Sequence, residues 1–319
     1  MRILVLGAGA IGGYYGLQLA EAGAHVSFLV RPRRAAQLAR DGLQVESRGR
    51  RLHRMVPTLS AGQVAPPFDL VLLTCKAYDL GEAVEAIAPT VGGAGTVLPL
   101  LNGMAHYDLL DARFGADRVL GGLCYIAATL GADGVIRHSS PGDDIRFGDR
   151  AGRRPSPAAE ELAALFAGTP VQAAVADDIV QALWEKWCMI AAGASLTCLL
   201  RGTVGEIMAT DDGEAVAAAT VAECRAIAAA LGHAPRPEAA ERTRRQLTDR
   251  QSRWAASMMR DIEAGAPRLE AEHVIGDLIR RGQEAGVAAP LLRAAYAQLQ
   301  VHNARGAARR LAQPRPDAA

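Results

Sequence analysis

Six residues near the start of the chain have the spacing of a phosphate-binding turn. They are Gly-Ala-Gly-Ala-Ile-Gly, a G-x-G-x-x-G pattern. In such a pattern the first glycine allows a tight turn, the second lets the backbone approach a pyrophosphate, and the third permits close helix–strand packing. A helix that starts here offers free N–H groups and the positive end of its dipole to phosphate oxygens. The pattern predicts a dinucleotide site that includes Gly7, Gly9, Ala10, Ile11 and Gly12.

A basic residue follows the next predicted strand. This strand covers residues 26–30 and is followed by Arg31, and no acidic residue occurs before Asp41. NAD sites usually place Asp or Glu here for the ribose hydroxyls, whereas an arginine can pair with a 2′-phosphate. The sequence therefore predicts NADP(H) as cofactor. The alternative is an arginine that only projects into solvent.

The elements that must position these residues alternate between strands and helices. Apolar runs predict buried parallel strands at 3–6, 26–30, 69–74 and 96–101. Helical periodicity predicts helices at 11–21 and from about 80 to 87. The glycine turn thus lies between a strand and a helix, which favours phosphate binding over a turn without a ligand. The alternation predicts an α/β fold with an N-terminal doubly wound, Rossmann-type sheet.

The pattern of predicted strands and helices changes after residue 119. Strands are predicted at 123–130, 135–138, 145–148 and 171–175, with a helix ending near Phe166 between the last two. Beyond residue 178 the chain is almost wholly helical, with breaks at 201–202, 232–237, 265–267 and 286–290. We predict an NADP-binding domain over 1–176, an all-helical substrate and catalytic domain over 177–311, and a disordered tail over 312–319.

Charge and cysteine content argue against several classes of protein. The net charge of +1 gives no reason to expect nucleic acid or an anionic membrane as partner. Most arginine clusters, such as 153–154, are interpreted as solvated faces. No stretch approaches the ~20 apolar residues of a membrane span, and the N-terminus lacks a signal peptide. Five scattered cysteines without a C-x-x-C pair argue against disulfides or zinc. We expect a cytoplasmic protein without a metal, whose seven histidines are structural or on the surface.

Five motifs are spread along nearly the whole chain, from residue 3 to about 300. They are GAGAIG with Arg31, Thr74-Cys75-Lys76, Leu101-Asn102-Gly103-Met104, Trp184-Glu185-Lys186, and Ser257-Met258 with Glu270. In combination they resemble the motifs of the 2-dehydropantoate 2-reductase (ketopantoate reductase) family. The resemblance implies an NADPH-dependent reductase that transfers a hydride to the keto carbon of a 2-oxo acid.

The resemblance also implies roles for individual residues. Lys186 would be the general acid that protonates the developing alkoxide, although most lysines on amphipathic helices only extend into solvent. Asn102 and Lys76 would line the cofactor and substrate cleft, and both follow the carboxyl ends of predicted strands. Ser257 and Glu270 would hold the polar groups of the substrate. The segment before Glu270 is one residue longer than in the family, and a solvated carboxylate is the alternative for that residue.

The chain departs from the family pattern after Lys186. The family places asparagines four and eight residues further on, along one helix face, where this chain has Ile190 and Ala194. Two amides that would bind the substrate's hydroxyl and carboxylate are therefore missing. Either Ser195, Thr197 or the other domain replaces them, or the substrate is more apolar. We favour the second alternative.

Three functions stay open at this point. The first is an NADPH-dependent reductase of a 2-oxo acid more apolar than ketopantoate. The second is a true 2-dehydropantoate 2-reductase of pantothenate biosynthesis. The third is an NADP(H)-sensing binding protein without turnover, against which Lys186 and Glu270 argue because a sensor needs no acid. The expected partner is a small-molecule 2-oxo acid, and a homodimer is left open.

Overall fold

The computed structural model describes residues 1–63, 67–152 and 156–312. Internal contacts divide the chain into two units, Met1–Leu101 with His106–Val180, and Asn102–Ala105 with the chain from Gln181 onward. The predicted domain boundary after residue 176 stays a prediction. Residues 153–154 and, from 313 on, the predicted tail lie outside the described residues.

Strands and helices of the first unit follow one another as the alternating pattern predicts. Its strands are β1 (Arg2–Leu6), β2 (His25–Leu29), β3 (Leu43–Ser47), β4 (Arg50–Arg54), β5 (Thr58–Leu59), β6 (Phe68–Leu73), β7 (Val91–Pro99), β8 (Gly121–Tyr125), β9 (Ala128–Leu130), β10 (Val135–His138), β11 (Asp144–Gly148) and β12 (Ala173–Val175). Its helices are α1 (Ala10–Glu21), α2 (Pro32–Asp41), α3 (Leu80–Ile87), α4 (His106–Phe114) and α5 (Pro157–Ala167).

The central sheet is parallel throughout, in the order β5-β2-β1-β6-β7. In β1 the side chains of Ile3, Leu4 and Val5 are all fully buried. Successive strand residues point to opposite faces, so the sheet is covered on both sides, as parallel sheets generally are. The predicted Rossmann-type sheet is confirmed.

Helix α1 is buried almost all around because it lies between two sheets. One is the central sheet, and the other has the order β4-β3-β10-β9. The approach to the second sheet is close: a Cβ atom on Gly13 would lie 2.2 Å from Cδ1 of Ile136 in β10. A helix enclosed on two faces cannot have a polar stripe, which explains the apolar, glycine-rich sequence that follows the phosphate-binding pattern.

The prediction of a single strand over 123–130 is wrong. The chain forms two strands there, β8 and β9, which belong to different sheets. β8 pairs antiparallel with β11, and β9 pairs antiparallel with β10. The sequence stays apolar through the break, although Leu130 in β9 is 36% exposed, so sequence periodicity carries no sign of the change of partner.

The second unit is helical, and none of its described residues forms a strand. Its elements are α6 (Ile179–Leu200, in this unit from Gln181), α7 (Val204–Met208), α8 (Gly213–Ala230), α9 (Pro237–Thr248), α10 (Ser257–Glu263), a π-helical turn (Glu272–Gly276), α11 (Asp277–Glu284) and α12 (Pro290–Ala312). The predicted breaks fall between these helices. Proline suits the first position of α9 because its missing N–H would have no intrahelical partner there.

Two further features concern the whole of the described chain. Among the residues that the structure describes, no helix is long and apolar enough to cross a membrane. All five cysteines lie within the described ranges, and none forms a disulfide bond there.

Candidate active site

The glycine turn between β1 and α1 has the geometry of a phosphate cradle. Gly7 has a φ of +94°. A Cβ on Gly12 would lie 2.3 Å from both the Gly7 carbonyl oxygen and Oγ1 of Thr74, a hydroxyl that donates to the Leu6 carbonyl at 2.8 Å. Gly9 is the N-cap of α1 and provides no side-chain cap, and the first turn holds no acidic residue. The first N–H groups of α1 are therefore available to an anion, and the cradle fits a dinucleotide pyrophosphate.

Gly12→Ala should destabilise the first unit by about 1–3 kcal/mol, because the added methyl meets backbone that cannot move away cheaply. Urea denaturation measures this change, and titration of NADPH fluorescence measures the accompanying loss of cofactor binding. The matched control is Gly81→Ala in α3, where a Cβ would have nothing within 4 Å. Equal stability of the two variants would show that Gly12 is not needed for close packing.

Arg31 stands at the N-cap of α2, and its side chain is 73% exposed. Its guanidinium Nη2 lies 3.0 Å from Oδ2 of Asp79 and 3.9 Å from Oε2 of Glu82. The absence of acidic residues before Asp41 therefore does not mean that Arg31 has no carboxylate beside it. The two carboxylates come from the segment after β6, far away in sequence but close in the fold.

Arg34, which sequence analysis did not single out, supports the glycine turn. Its Nε donates to the Ala8 carbonyl at 3.1 Å, and its Nη1 donates to Gln37 at 2.7 Å and to the Gly134 carbonyl at 3.3 Å. Burial lowers the pKa of this guanidinium. The only sequence signal was its place in the cluster Arg31-Pro32-Arg33-Arg34. In this cluster Arg34 fixes the turn, while Arg31 stays at the surface.

In the second unit, the buried Lys186 and the half-buried Asn102 form a polar pair. Lys186 lies on α6 and is 7% exposed, and its Nζ donates to Oδ1 of Asn102 at 3.0 Å. An ammonium removed from water is costly unless it has a polar partner. The structure thus joins two predicted site residues, and the amide oxygen fixes the direction of one ammonium hydrogen.

The π-helical turn contacts the residues that follow Lys186 and Asn102. The indole Nε1 of Trp187 donates to the Val274 carbonyl at 2.8 Å. A Cβ on Gly103 would lie 2.5 Å from the His273 carbonyl oxygen, so the residue next to Asn102 rests directly on this turn. π-helical turns are rare and frequently occur at functional sites.

Glu270 lies two residues before this turn and is joined to it, since the Val274 N–H donates to the Glu270 carbonyl at 3.0 Å. Burial lowers the pKa of the neighbouring His273, and the negative charge of Glu270 opposes this shift. The Glu270 carboxylate is therefore close enough to influence the His273 ring. Of the other predicted site residues, Ser257 is the exposed first residue of α10, and Lys76 is exposed after β6 in the first unit.

Glu185, next to Lys186, is held by an ion pair that sequence analysis did not foresee. Its carboxylate accepts hydrogen bonds from Nε and Nη2 of Arg236 at 2.7 and 2.8 Å, and from the backbone N–H of that residue at 3.0 Å. Burial alone would raise the pKa of Glu185, but the hydrogen bonds from Arg236 outweigh it and the pKa is lowered. These contacts fix the rotation of α6 at the position of Lys186.

The helix face after Lys186 is apolar. Ile190 is half-buried and Ala194 is buried. On the same face a Cβ on Gly193 would lie 2.6 Å from Cη2 of Trp254, so the indole ring packs directly on the helix backbone. Within the described ranges, no group of three or more His, Cys, Asp or Glu side chains is placed to hold a metal ion.

The basic residues of the chain carry a further signal that sequence analysis overlooked. The sequence contains 33 arginines and two lysines, Lys76 and Lys186. Arginine cannot release a proton in a protein, whereas a lysine ammonium can. In a chain that otherwise uses arginine for positive charge, both lysines are predicted site residues.

Comparisons with known proteins agree with these motifs. Residues 3–152 match the family model "Ketopantoate reductase PanE/ApbA", and residues 178–303 match its C-terminal model. The chain is 36% identical to the "Uncharacterized oxidoreductase YkpB" of Bacillus subtilis, over 95% of this chain and 99% of that protein. It is 28% identical to a 2-dehydropantoate 2-reductase of Mesorhizobium japonicum, over 84% of this chain and 87% of that protein.

Solved structures show the same relation. A 2-dehydropantoate 2-reductase from Geobacter metallireducens superimposes with a TM-score of 0.86 at 30% identity, covering 94% of this chain and 99% of that one. The two family models together span both structural units. The chain therefore belongs to the ketopantoate reductase family and is an oxidoreductase.

Proposed function

We propose that this protein reduces the keto carbon of a 2-oxo acid with NADPH, and that Lys186 donates the proton that completes the alcohol. The observation that carries the proposal is the buried Lys186 ammonium, 3.0 Å from the amide oxygen of Asn102. Reduction of a ketone needs a hydride at carbon and a proton at oxygen. A buried, oriented ammonium is suited to provide the second.

The residues of the first unit fit the cofactor. Gly7, Gly9, Ala10, Ile11 and Gly12 would hold the pyrophosphate, and Arg31 would pair with the 2′-phosphate. Lys76 and Asn102 would complete the cofactor site, as in the family. When bound, NADPH supplies the hydride.

Lys186 supplies the proton that the reaction needs in addition to the hydride. Asn102 Oδ1 accepts one ammonium hydrogen and so orients the ammonium group before the reaction. As negative charge develops on the substrate oxygen, Nζ of Lys186 transfers a proton to it and becomes a neutral amine. A proton from solvent then restores the ammonium. Ser257 and Glu270 would hold the polar groups of the substrate.

The substrate side chain should be more apolar than that of ketopantoate. Ile190 and Ala194 offer no hydrogen bonds where the family has amides. The two hydroxyls considered as replacements are inaccessible, since Ser195 is 1% and Thr197 is 0% exposed. Thr197 also spends its hydroxyl hydrogen on the Gly193 carbonyl at 2.7 Å. These observations favour an apolar 2-oxo acid.

Ketopantoate itself is the second candidate substrate, and the names of several relatives favour it. An NADPH-oxidation screen across 2-oxo acids, with ketopantoate among them, tests both candidates. Our proposal predicts the highest kcat/KM for a branched or aromatic 2-oxo acid. The highest value for ketopantoate would support the role in pantothenate biosynthesis instead. The cytoplasmic location and the homodimer also remain proposals, and size-exclusion chromatography tests the second.

Arg31→Ala should raise the KM for NADPH about tenfold and leave the KM for NADH nearly unchanged. A charge-assisted hydrogen bond contributes about 1.5–3 kcal/mol, and an exposed one lies at the lower end of that range. The matched control is Arg33→Ala, which removes an exposed charge from the same helix. Equal losses with both cofactors would show that Arg31 does not recognise the 2′-phosphate.

A further inference from the structure

The ion pair between Arg31 and Asp79 lies at the carboxyl ends of the strands of the central sheet, the edge at which the glycine turn begins. Arg31 follows β2, Asp79 follows β6, and these two strands lie on either side of β1. Neighbouring strands are ~4.8 Å apart, so the pair spans the end of β1, where the glycine turn begins. Its contact of 3.0 Å joins segments that are 48 residues apart in sequence.

A turn in the backbone fixes the main-chain position of Asp79. Asp79 is the last residue of a 3₁₀ turn, Ala77–Asp79, and its N–H donates to the Lys76 carbonyl at 2.9 Å. Its side chain is 30% exposed, whereas that of Glu82, the second carboxylate near Arg31, is 88% exposed. Asp79 is therefore the less exposed of the two carboxylates and the nearer one to Arg31.

We propose that Asp79 determines cofactor specificity, and that its carboxylate competes with the 2′-phosphate for Arg31 and so allows the enzyme to use NADH as well. This inference rests on the proposed function of Arg31. A phosphate monoester carries nearly two negative charges, and a carboxylate paired with the same guanidinium repels it. A carboxylate can also accept hydrogen bonds from ribose hydroxyls, as Asp or Glu does in NAD sites.

The Asp79 carboxylate should affect the binding of the two cofactors in opposite directions. NADPH must share Arg31 with Asp79, which weakens its binding. NADH brings no phosphate, leaves the ion pair intact, and offers hydroxyl donors to the carboxylate. The wild-type protein should therefore bind both cofactors with a modest preference for NADPH, smaller than Arg31 alone would give.

Asp79→Asn tests this inference, because it removes the charge and keeps the shape. Dissociation constants for NADPH and NADH, measured by fluorescence titration without substrate, give the readout. The ratio of the NADH to the NADPH constant should rise about fivefold, the size expected for one partly exposed charge. The matched control is Glu85→Gln on α3, which neutralises a carboxylate paired with Arg113 at 3.6 Å instead, and the ratio should not change.

The outcomes separate this inference from the proposed function. If Asp79→Asn leaves the ratio unchanged while Arg31→Ala lowers it, Arg31 recognises the phosphate but Asp79 does not compete, and the inference is wrong. If neither variant changes the ratio, the assignment of Arg31 is wrong and the inference falls with it. A ratio that falls in Asp79→Asn also overturns the inference.

Discussion

Lys186→Ala should lower kcat by about 10²–10⁴ while NADPH still binds, because the variant loses the proton donor and keeps the glycine turn. The more informative variant is Lys186→Arg. Arginine retains the positive charge and can still donate to Asn102, but it does not release a proton at neutral pH. We expect Lys186→Arg to be nearly as inactive as Lys186→Ala. Stopped-flow measurement of NADPH oxidation, with cofactor titration alongside, provides the data.

A charge-only role for Lys186 makes the opposite prediction. If the ammonium merely attracts the substrate carboxylate, arginine at this position should restore most of the activity and the main loss should be in KM. Turnover of Lys186→Arg within a few-fold of wild type would therefore assign the proton to another residue. Lys76→Arg is a useful comparison, since Lys76 is proposed to bind the cofactor and binding of an anion tolerates the exchange better than proton transfer does.

Ile190→Asn combined with Ala194→Asn should shift specificity toward ketopantoate by about a hundredfold, relative to an apolar 2-oxo acid. Each hydrogen bond to a buried substrate group contributes about 1–3 kcal/mol, and every 1.4 kcal/mol corresponds to a factor of ten. The measurement is the ratio of kcat/KM for the two substrates. Efficient ketopantoate turnover by the wild-type protein would contradict the premise that the missing amides matter.

Folding of the double variant needs its own safeguard. Ala194 is 3% exposed, so a larger polar side chain there faces a packing cost. Ile190→Asn alone changes a half-buried position and should produce about half of the shift on a logarithmic scale. Leu199→Asn, also half-buried but on the opposite face of α6, is the matched control and should leave the ratio unchanged.

The central sheet could be predicted because β1, β2, β6 and the second half of β7 lie in short apolar runs, each followed by a glycine or a polar residue. Helix α2 and the hairpin of β3 and β4 were not predicted. In α2 the only buried residue is Leu38, and β4 consists mostly of exposed basic residues. Such elements owe their structure to the sheet beside them, so they have too few apolar positions to produce a periodic pattern.

Some features of the candidate site could also be predicted from the sequence, and others could not. The glycine turn is local, and its chemistry could be predicted from spacing alone. The roles of Lys186 and Asn102 were expected only through the resemblance, and their pairing was not predicted, because the two residues are 84 positions apart. The carboxylates beside Arg31 were not foreseen, since they reach it through the order of β2, β1 and β6.

Residues Asn102–Ala105 belong by their contacts to the helical unit, although the chain on both sides of them belongs to the first unit. This interruption limits which segments two members of the family can exchange by recombination. A chimera of two relatives joined near residue 180 would combine Asn102 of one parent with Lys186 of the other. A recombinant gene with a single crossover can therefore separate the proposed acid from its partner, and the two positions must be inherited together for the pair to survive.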